Sequence, residues 1–164
     1  MIQAIQPVGT GSTQDDSELP HATSITRLLR LPPVVAASTA LTRAAELLVR
    51  PGASLLVVVD ERRRPLGVVT ATEVLALARR LTPARFERAT VLDAARSGGR
   101  FVPETSTLRS VHSALLDENR EFFVVVDAEG RLAGMVTAMD VLEALEGSPP
   151  VSGTWPIAAL HSCR

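Results

Sequence analysis

The chain is written twice. Displaced by 67 residues, positions 23–77 lie on positions 90–144 without a gap, and 15 of these 55 positions are identical. Val57, Val58, Val59 and Asp60 fall on Val124, Val125, Val126 and Asp127. Gly67 falls on Gly134, Thr70 on Thr137, and Val74-Leu75 on Val141-Leu142. One register held through several elements means two copies of one folding unit. A unit of about 60 residues buries too little surface to be secure alone. The two copies are therefore expected to pack together through their sheets.

Each copy carries the same signals in the same order. A short helix is expected first, with Thr23 or Thr90 at its N-cap. A brief strand follows around Val34-Val35 or Phe101-Val102. A second helix starts near Ser38-Thr39 or Thr105-Ser106, with Leu41, Ala44, Ala45 and Leu48, or Leu108, Val111 and Leu115, at helical spacing. Pro51-Gly52 ends it in the first copy and Asn119 in the second. Then come an apolar strand (LLVVVD or FFVVVD), a polar turn (ERRRP or AEGR) and a second strand, which together make a hairpin. The last helix opens at Thr70 or Thr137. The order in each copy is α-β-α-β-β-α. The expected division is a flexible tail over 1–19, a first repeat over 20–82, a second over 83–146 and a C-terminal linker and tail over 147–164. RRLTPARFER (79–88) joins the copies, with Pro83 breaking the preceding helix. In the tail, Trp155, Ile157 and Leu160 offer an apolar contact for a partner.

Composition removes several classes of function. The net charge is −1, every cationic side chain other than histidine is arginine, and the only aromatics are Phe86, Phe101, Phe122, Phe123 and Trp155. The near-zero net charge argues against nucleic acid as the main partner, and the aromatics are too few and too scattered for a stacking platform. The apolar runs 55–59 and 122–126 are far short of the ~20 residues that span a bilayer, and the N-terminus has no signal-peptide pattern. One cysteine, Cys163, cannot staple a fold and points to a reducing compartment. The cytoplasm is the expected location. His21, His112 and His161 are far apart and show no metal-ligand spacing. No phosphate loop, nucleophile elbow or carboxylate pair supports catalysis. The basic turn Arg62-Arg63-Arg64 reads as a solvated hairpin tip.

The repeated octets GVVTATEV (67–74) and GMVTAMDV (134–141) carry the chemistry. Gly134 has no side chain, so another backbone or a ligand can approach. Thr137 opens a helix whose first N–H groups lack partners and favour anions. Asp140 lies three residues on, where a carboxylate can accept the two hydroxyls of a ribose. Thr70 and Glu73 repeat the pattern with a longer acid. The same spacing is also a capping box, in which Thr and acid satisfy backbone donors reciprocally. Both readings stand at this point.

The ordered set VVVDERRRPLGVVTATEV and VVVDAEGRLAGMVTAMDV, each preceded by a helix-strand-helix segment, resembles tandem cystathionine β-synthase (CBS) domains, the pair called a Bateman module. The resemblance covers residues 20–146. It implies an α/β (α+β) fold of two units whose three-stranded sheets pack about a pseudo-two-fold axis. It also implies a regulatory module, paired as a homodimer, that binds an adenosine-containing ligand between the units: AMP, ADP, ATP, S-adenosylmethionine or a relative. Under this resemblance Thr137 and Asp140, and Thr70 with Glu73, hold ribose and phosphate. Val35 and Ala36, or Val102 and Pro103, floor the base. No cofactor is required, and an effector protein would read the signal. The alternative from another class is a structural dimerisation or protein-interaction module with no bound nucleotide, in which the octets are helix caps only.

Overall fold

The computed structural model describes residues 24–95 and 101–147. Expectations that rest on the tail 1–19, on His21 and Thr23, or on Trp155, Ile157, Leu160, His161 and Cys163 lie outside these residues.

A 3-10 turn, Ile25–Leu28, leads into β1 (Val34–Ala36), α1 (Leu41–Leu48), β2 (Leu55–Val59), β3 (Pro65–Thr70) and α2 (Ala71–Ala78). Two short helices follow, α3 (Pro83–Phe86) and α4 (Val91–Ala94). The second copy adds β4 (Phe101–Pro103), α5 (Leu108–Asp117), β5 (Phe122–Val126), β6 (Leu132–Thr137) and α6 (Ala138–Leu145). Pro83 sits at the start of α3. A proline is tolerated in the first helical turn because the N–H it lacks has no partner there. It opens a helix in addition to ending the segment before it. Gly52 (φ 85°) and Asn119 (φ 48°) take left-handed conformations after α1 and α5, as their places at the helix ends require.

The repeat returns as two three-stranded sheets, β1-β2-β3 and β4-β5-β6. In each, the first strand runs parallel to the middle one and the hairpin is antiparallel. The registers are the same after the 67-residue displacement. Leu55 pairs with Thr70 and Phe122 with Thr137. An irregularity interrupts the ladder at Val58/Val59 and again at Val125/Val126.

The unbroken apolar run in β2 has a packing cause: both faces of the strand are covered. Leu56 and Val58 face a helical layer with Leu41, Ala44, Leu48 and Val74. Leu55, Val57 and Val59 face the other sheet, meeting Val124, Leu132 and Met135. Sheet against sheet is thus the shared core that two small units need.

The outer cores do not follow sequence order. Ile25 and Leu28 pack with Leu108, Val111, Leu115, Phe123 and Val141, which belong to the second copy. Ala89, Val91 and Ala94 pack with Leu41, Leu56, Val58 and Val69 of the first. Each unit is closed by the short helix that precedes the other. Main-chain bonds fasten these helices: Leu41 N donates to Ala89 O at 2.9 Å, and Val91 N to Thr39 O at 2.9 Å. Ser24 caps the first turn through Thr26 N at 3.3 Å. Thr90 caps α4, and the Asp93 carboxylate returns to Thr90 N at 2.8 Å.

Both hairpin turns are built on an aspartate. Asp60 Oδ1 accepts Arg62 N (2.9 Å) and Arg64 N (2.7 Å). Asp127 Oδ1 accepts Glu129 N (3.0 Å) and Arg131 N (2.8 Å). The Arg131 guanidinium also reaches Asp127 Oδ2 at 2.9 Å. Partial desolvation by itself raises the Asp127 pKa. The Arg131 backbone bond, its side-chain bond and charge, and the Glu129 N–H outweigh that and hold the carboxyl below its ordinary value. The residue after the turn's midpoint has positive φ in both copies: Gly130 at 76° and Arg63 at 62°. Arg62, Arg63 and Arg64 are exposed, as expected of a solvated tip.

Candidate functional site at the β6–α6 junction

Thr137 ends β6 and caps α6. Asp140, in the first turn of that helix, is 2% exposed and is the one buried charged residue among those described. Its Oδ2 accepts Thr137 N at 3.0 Å and Thr137 Oγ1 at 2.6 Å, and its own N–H donates to Thr137 Oγ1 at 3.2 Å. The capping box is therefore complete, and aspartate, although shorter than glutamate, closes it. Asp93 does the same for Thr90.

The other carboxylate oxygen, Oδ1, is paired with Nη2 of Arg30. Arg30 belongs to the first copy, between the 3-10 turn and β1. Its side chain is 25% exposed, so the pair bridges the interior and solvent. The main chain holds Arg30 in place. Arg30 N donates to Met135 O at 2.9 Å, and Met135 N to Arg30 O at 2.8 Å. Gly134 makes this approach possible. A Cβ on Gly134 would stand 3.1 Å from Arg30 O and 3.1 Å from the Leu29 side chain. The close neighbour that the glycine calls for is thus the backbone of the other copy.

At the matching junction of the first copy, Thr70 N donates to Glu73 Oε2 at 3.0 Å, and the Thr70 hydroxyl contacts the same oxygen. Thr70 and Glu73 are partly buried. Displacement by 67 places Ser97 at the position of Arg30, outside the described residues. The two junctions therefore differ in the acid.

The expected base floor is split. Val35 is buried within the first helical core and Val102 packs at the edge of the second, whereas Ala36 and Pro103 are exposed. Ala36 pairs with Val59, four residues along β2 from the Leu55 that pairs with Thr70. At ~3.3 Å per residue that is roughly 13 Å. Pro103 stands in the same relation to Thr137 through Val126 and Phe122. Within one sheet, then, the floor residues and the threonine lie toward opposite ends.

Arg30 lies outside the repeated octets, and no pattern in the sequence marks it, since the copies share no identity over 24–34. His112 is partly buried on α5. Among the described residues no group of three or more His, Cys, Asp or Glu side chains could hold a metal ion. None of the helices described is long and apolar enough to cross a membrane.

The CBS domain profile matches residues 25–80 and 100–147. The chain belongs to the CBS-domain family. Its two CBS repeats resemble several solved pairs. CBSX2 in complex with AMP is 27% identical, with a TM-score of 0.65 over 76% of this chain and 96% of that one. CbpB in complex with c-di-AMP is 15% identical, with a TM-score of 0.68 over 77% of this chain and 87% of that one. The CBS domain of the bacterial CNNM/CorC family Mg2+ transporter in complex with ATP is 22% identical, with a TM-score of 0.65 over 79% of this chain and 92% of that one. The last two show likeness of fold. No curated protein sequence matches the chain.

Proposed function

We propose that this CBS pair is a non-catalytic regulatory module that senses an adenosine nucleotide at the β6–α6 junction. Thr137 and Asp140 hold its ribose and phosphate. Thr70 and Glu73 form the corresponding site of the first copy, with the longer acid changing its register. The observation that carries this proposal is the likeness to CBSX2, solved with AMP, across 96% of that chain. Val35, Ala36, Val102 and Pro103 are offered as parts of the base floor. Since each repeat's floor residues lie away from its own threonine, they serve a site only if it draws on more than one end of a sheet.

The module works in the cytoplasm as a homodimer and passes its state to an effector protein. Val49 and Leu75 in the first copy and Leu116 and Leu142 in the second are exposed apolar residues, pairwise equivalent under the repeat. They offer an apolar surface to a second copy. Ligand binding shifts such an assembly only through differential affinity for its states.

A specific observation favours a second reading, a structural dimerisation module without nucleotide. Both oxygens of Asp140 already have protein partners. Thermal unfolding against AMP, ADP, ATP, S-adenosylmethionine, NAD and cyclic dinucleotides separates the two. A ligand at about a hundred times its Kd stabilises by about 2.7 kcal/mol, a shift of a few degrees for this length. Asp140→Ala lowers the baseline melting point because it removes a cap and a charge partner. The readout is the ligand-dependent shift, which the variant loses. A flat response to the whole panel supports the structural module.

A further inference from the structure

We propose that Arg30 is an internal competitor for the ribose carboxylate of Asp140, and that it makes the β6–α6 site selective for adenosine ligands carrying an anionic phosphate. The proposal rests on the nucleotide-sensing reading and specifies its chemistry.

The Arg30 guanidinium occupies Oδ1, while Thr137 occupies Oδ2. A ribose whose hydroxyls donate to Asp140 competes with these partners for the carboxylate's lone pairs. Thr137 is joined to Asp140 through its own N–H and hydroxyl within one helical turn, and releasing it undoes the α6 cap. Arg30 comes from another segment, and its side chain is a quarter exposed. It is the partner that yields.

Displacement separates two opposite charges of which one, Asp140, is 2% exposed. The ribose hydroxyls satisfy the carboxylate, and the guanidinium gives up its contact with Asp140. A phosphate on the same ligand replaces that anion, and guanidinium suits phosphate geometrically as well as electrically. A neutral nucleoside supplies no replacement. S-adenosylmethionine carries a carboxylate, but its sulfonium and ammonium leave it net positive and add like charge near Arg30. The expected order is AMP, ADP and ATP first, then adenosine, then S-adenosylmethionine.

The exchange also has a mechanical consequence. Arg30 is paired through its main chain to Met135 and lies between Leu28, in the second core, and Val34, at the start of the first sheet. Releasing its side chain acts on the stretch that runs from the second core to the first sheet.

The test is calorimetric titration of the full-length wild type, Arg30→Gln and Arg30→Lys with AMP and with adenosine. Circular dichroism and melting confirm that each variant is folded. Arg30→Lys, which keeps the charge, serves if Arg30→Gln unfolds. In the wild type, AMP binds at least about tenfold more tightly than adenosine, the worth of one charge-assisted contact. In Arg30→Gln the ratio collapses toward one, because adenosine gains affinity and AMP loses it. Arg30→Lys keeps part of the ratio. AMP binding with the same ratio in all three proteins overturns the role of Arg30 and leaves the nucleotide site standing. If neither probe binds to any of the three proteins, the nucleotide reading falls, and this proposal falls with it.

Discussion

The carbonyl oxygen of Arg30 lies 3.1 Å from the place where Gly134 would carry a Cβ. That oxygen also accepts the Met135 N–H at 2.8 Å, so it cannot move away without breaking a bridge between the copies. Gly134→Ala is therefore expected to destabilise the protein by roughly 1–3 kcal/mol, the usual range for overpacking against a fixed neighbour. Urea unfolding of the variant checks this.

The hairpin tips make a comparison inside one chain. Arg63 holds φ of 62° where its counterpart Gly130 holds 76°. A residue with a Cβ pays about 1–2 kcal/mol for the left-handed region. Arg63→Gly should raise stability by about 1 kcal/mol, less whatever the greater freedom of glycine in the unfolded chain takes back. Gly130→Ala should lower it by a similar amount, since no atom lies within 4 Å of the new Cβ and strain acts alone. The shifts in denaturation midpoint should have opposite signs.

The second copy's turn should be acid-sensitive. Desolvation raises the Asp127 pKa, but the Arg131 and Glu129 contacts outweigh it, so the folded value lies below the ordinary one of 3.8. A depressed carboxyl contributes its stability fully above the unfolded pKa and loses it as pH falls through the folded value. Asp127→Asn keeps an oxygen for the two backbone N–H groups and removes only the charge. Its unfolding midpoint should therefore fall less steeply than that of the wild type as pH is lowered below about 4.

The exchanged helices predict a dependence between repeats. Ile25 is fully buried, and in the second copy's core. Ile25→Ala should cost roughly 2–5 kcal/mol while lying outside that copy's sequence. Amide exchange should show lost protection in α5 and β5 rather than in β2 alone.

Much of this was readable beforehand, and the reason is symmetry. Two copies in one register disclose strand positions, hairpins and the Thr-x-x-acid junctions without any contact information. The exchanged helices were not readable, because Ile25 and Val91 have the same apolar character whichever core receives them. Arg30 escaped for a related reason. Its partner Asp140 is 110 residues away (140 − 30), and no local spacing announces a pair formed across a sheet edge. Spacing alone also left Thr137 and Asp140 undecided between cap and ligand site. The structure shows the cap fully formed, which bears on how a ligand would enter without removing the chemistry that would hold it.

A diffraction structure of the full-length protein crystallised with saturating AMP tests the central claim most directly. The account predicts ribose hydroxyls on Asp140 Oδ1, with the Arg30 guanidinium turned from the carboxylate to the phosphate. AMP bound elsewhere, or density showing Arg30 still paired with Asp140 and no nucleotide at α6, would contradict it.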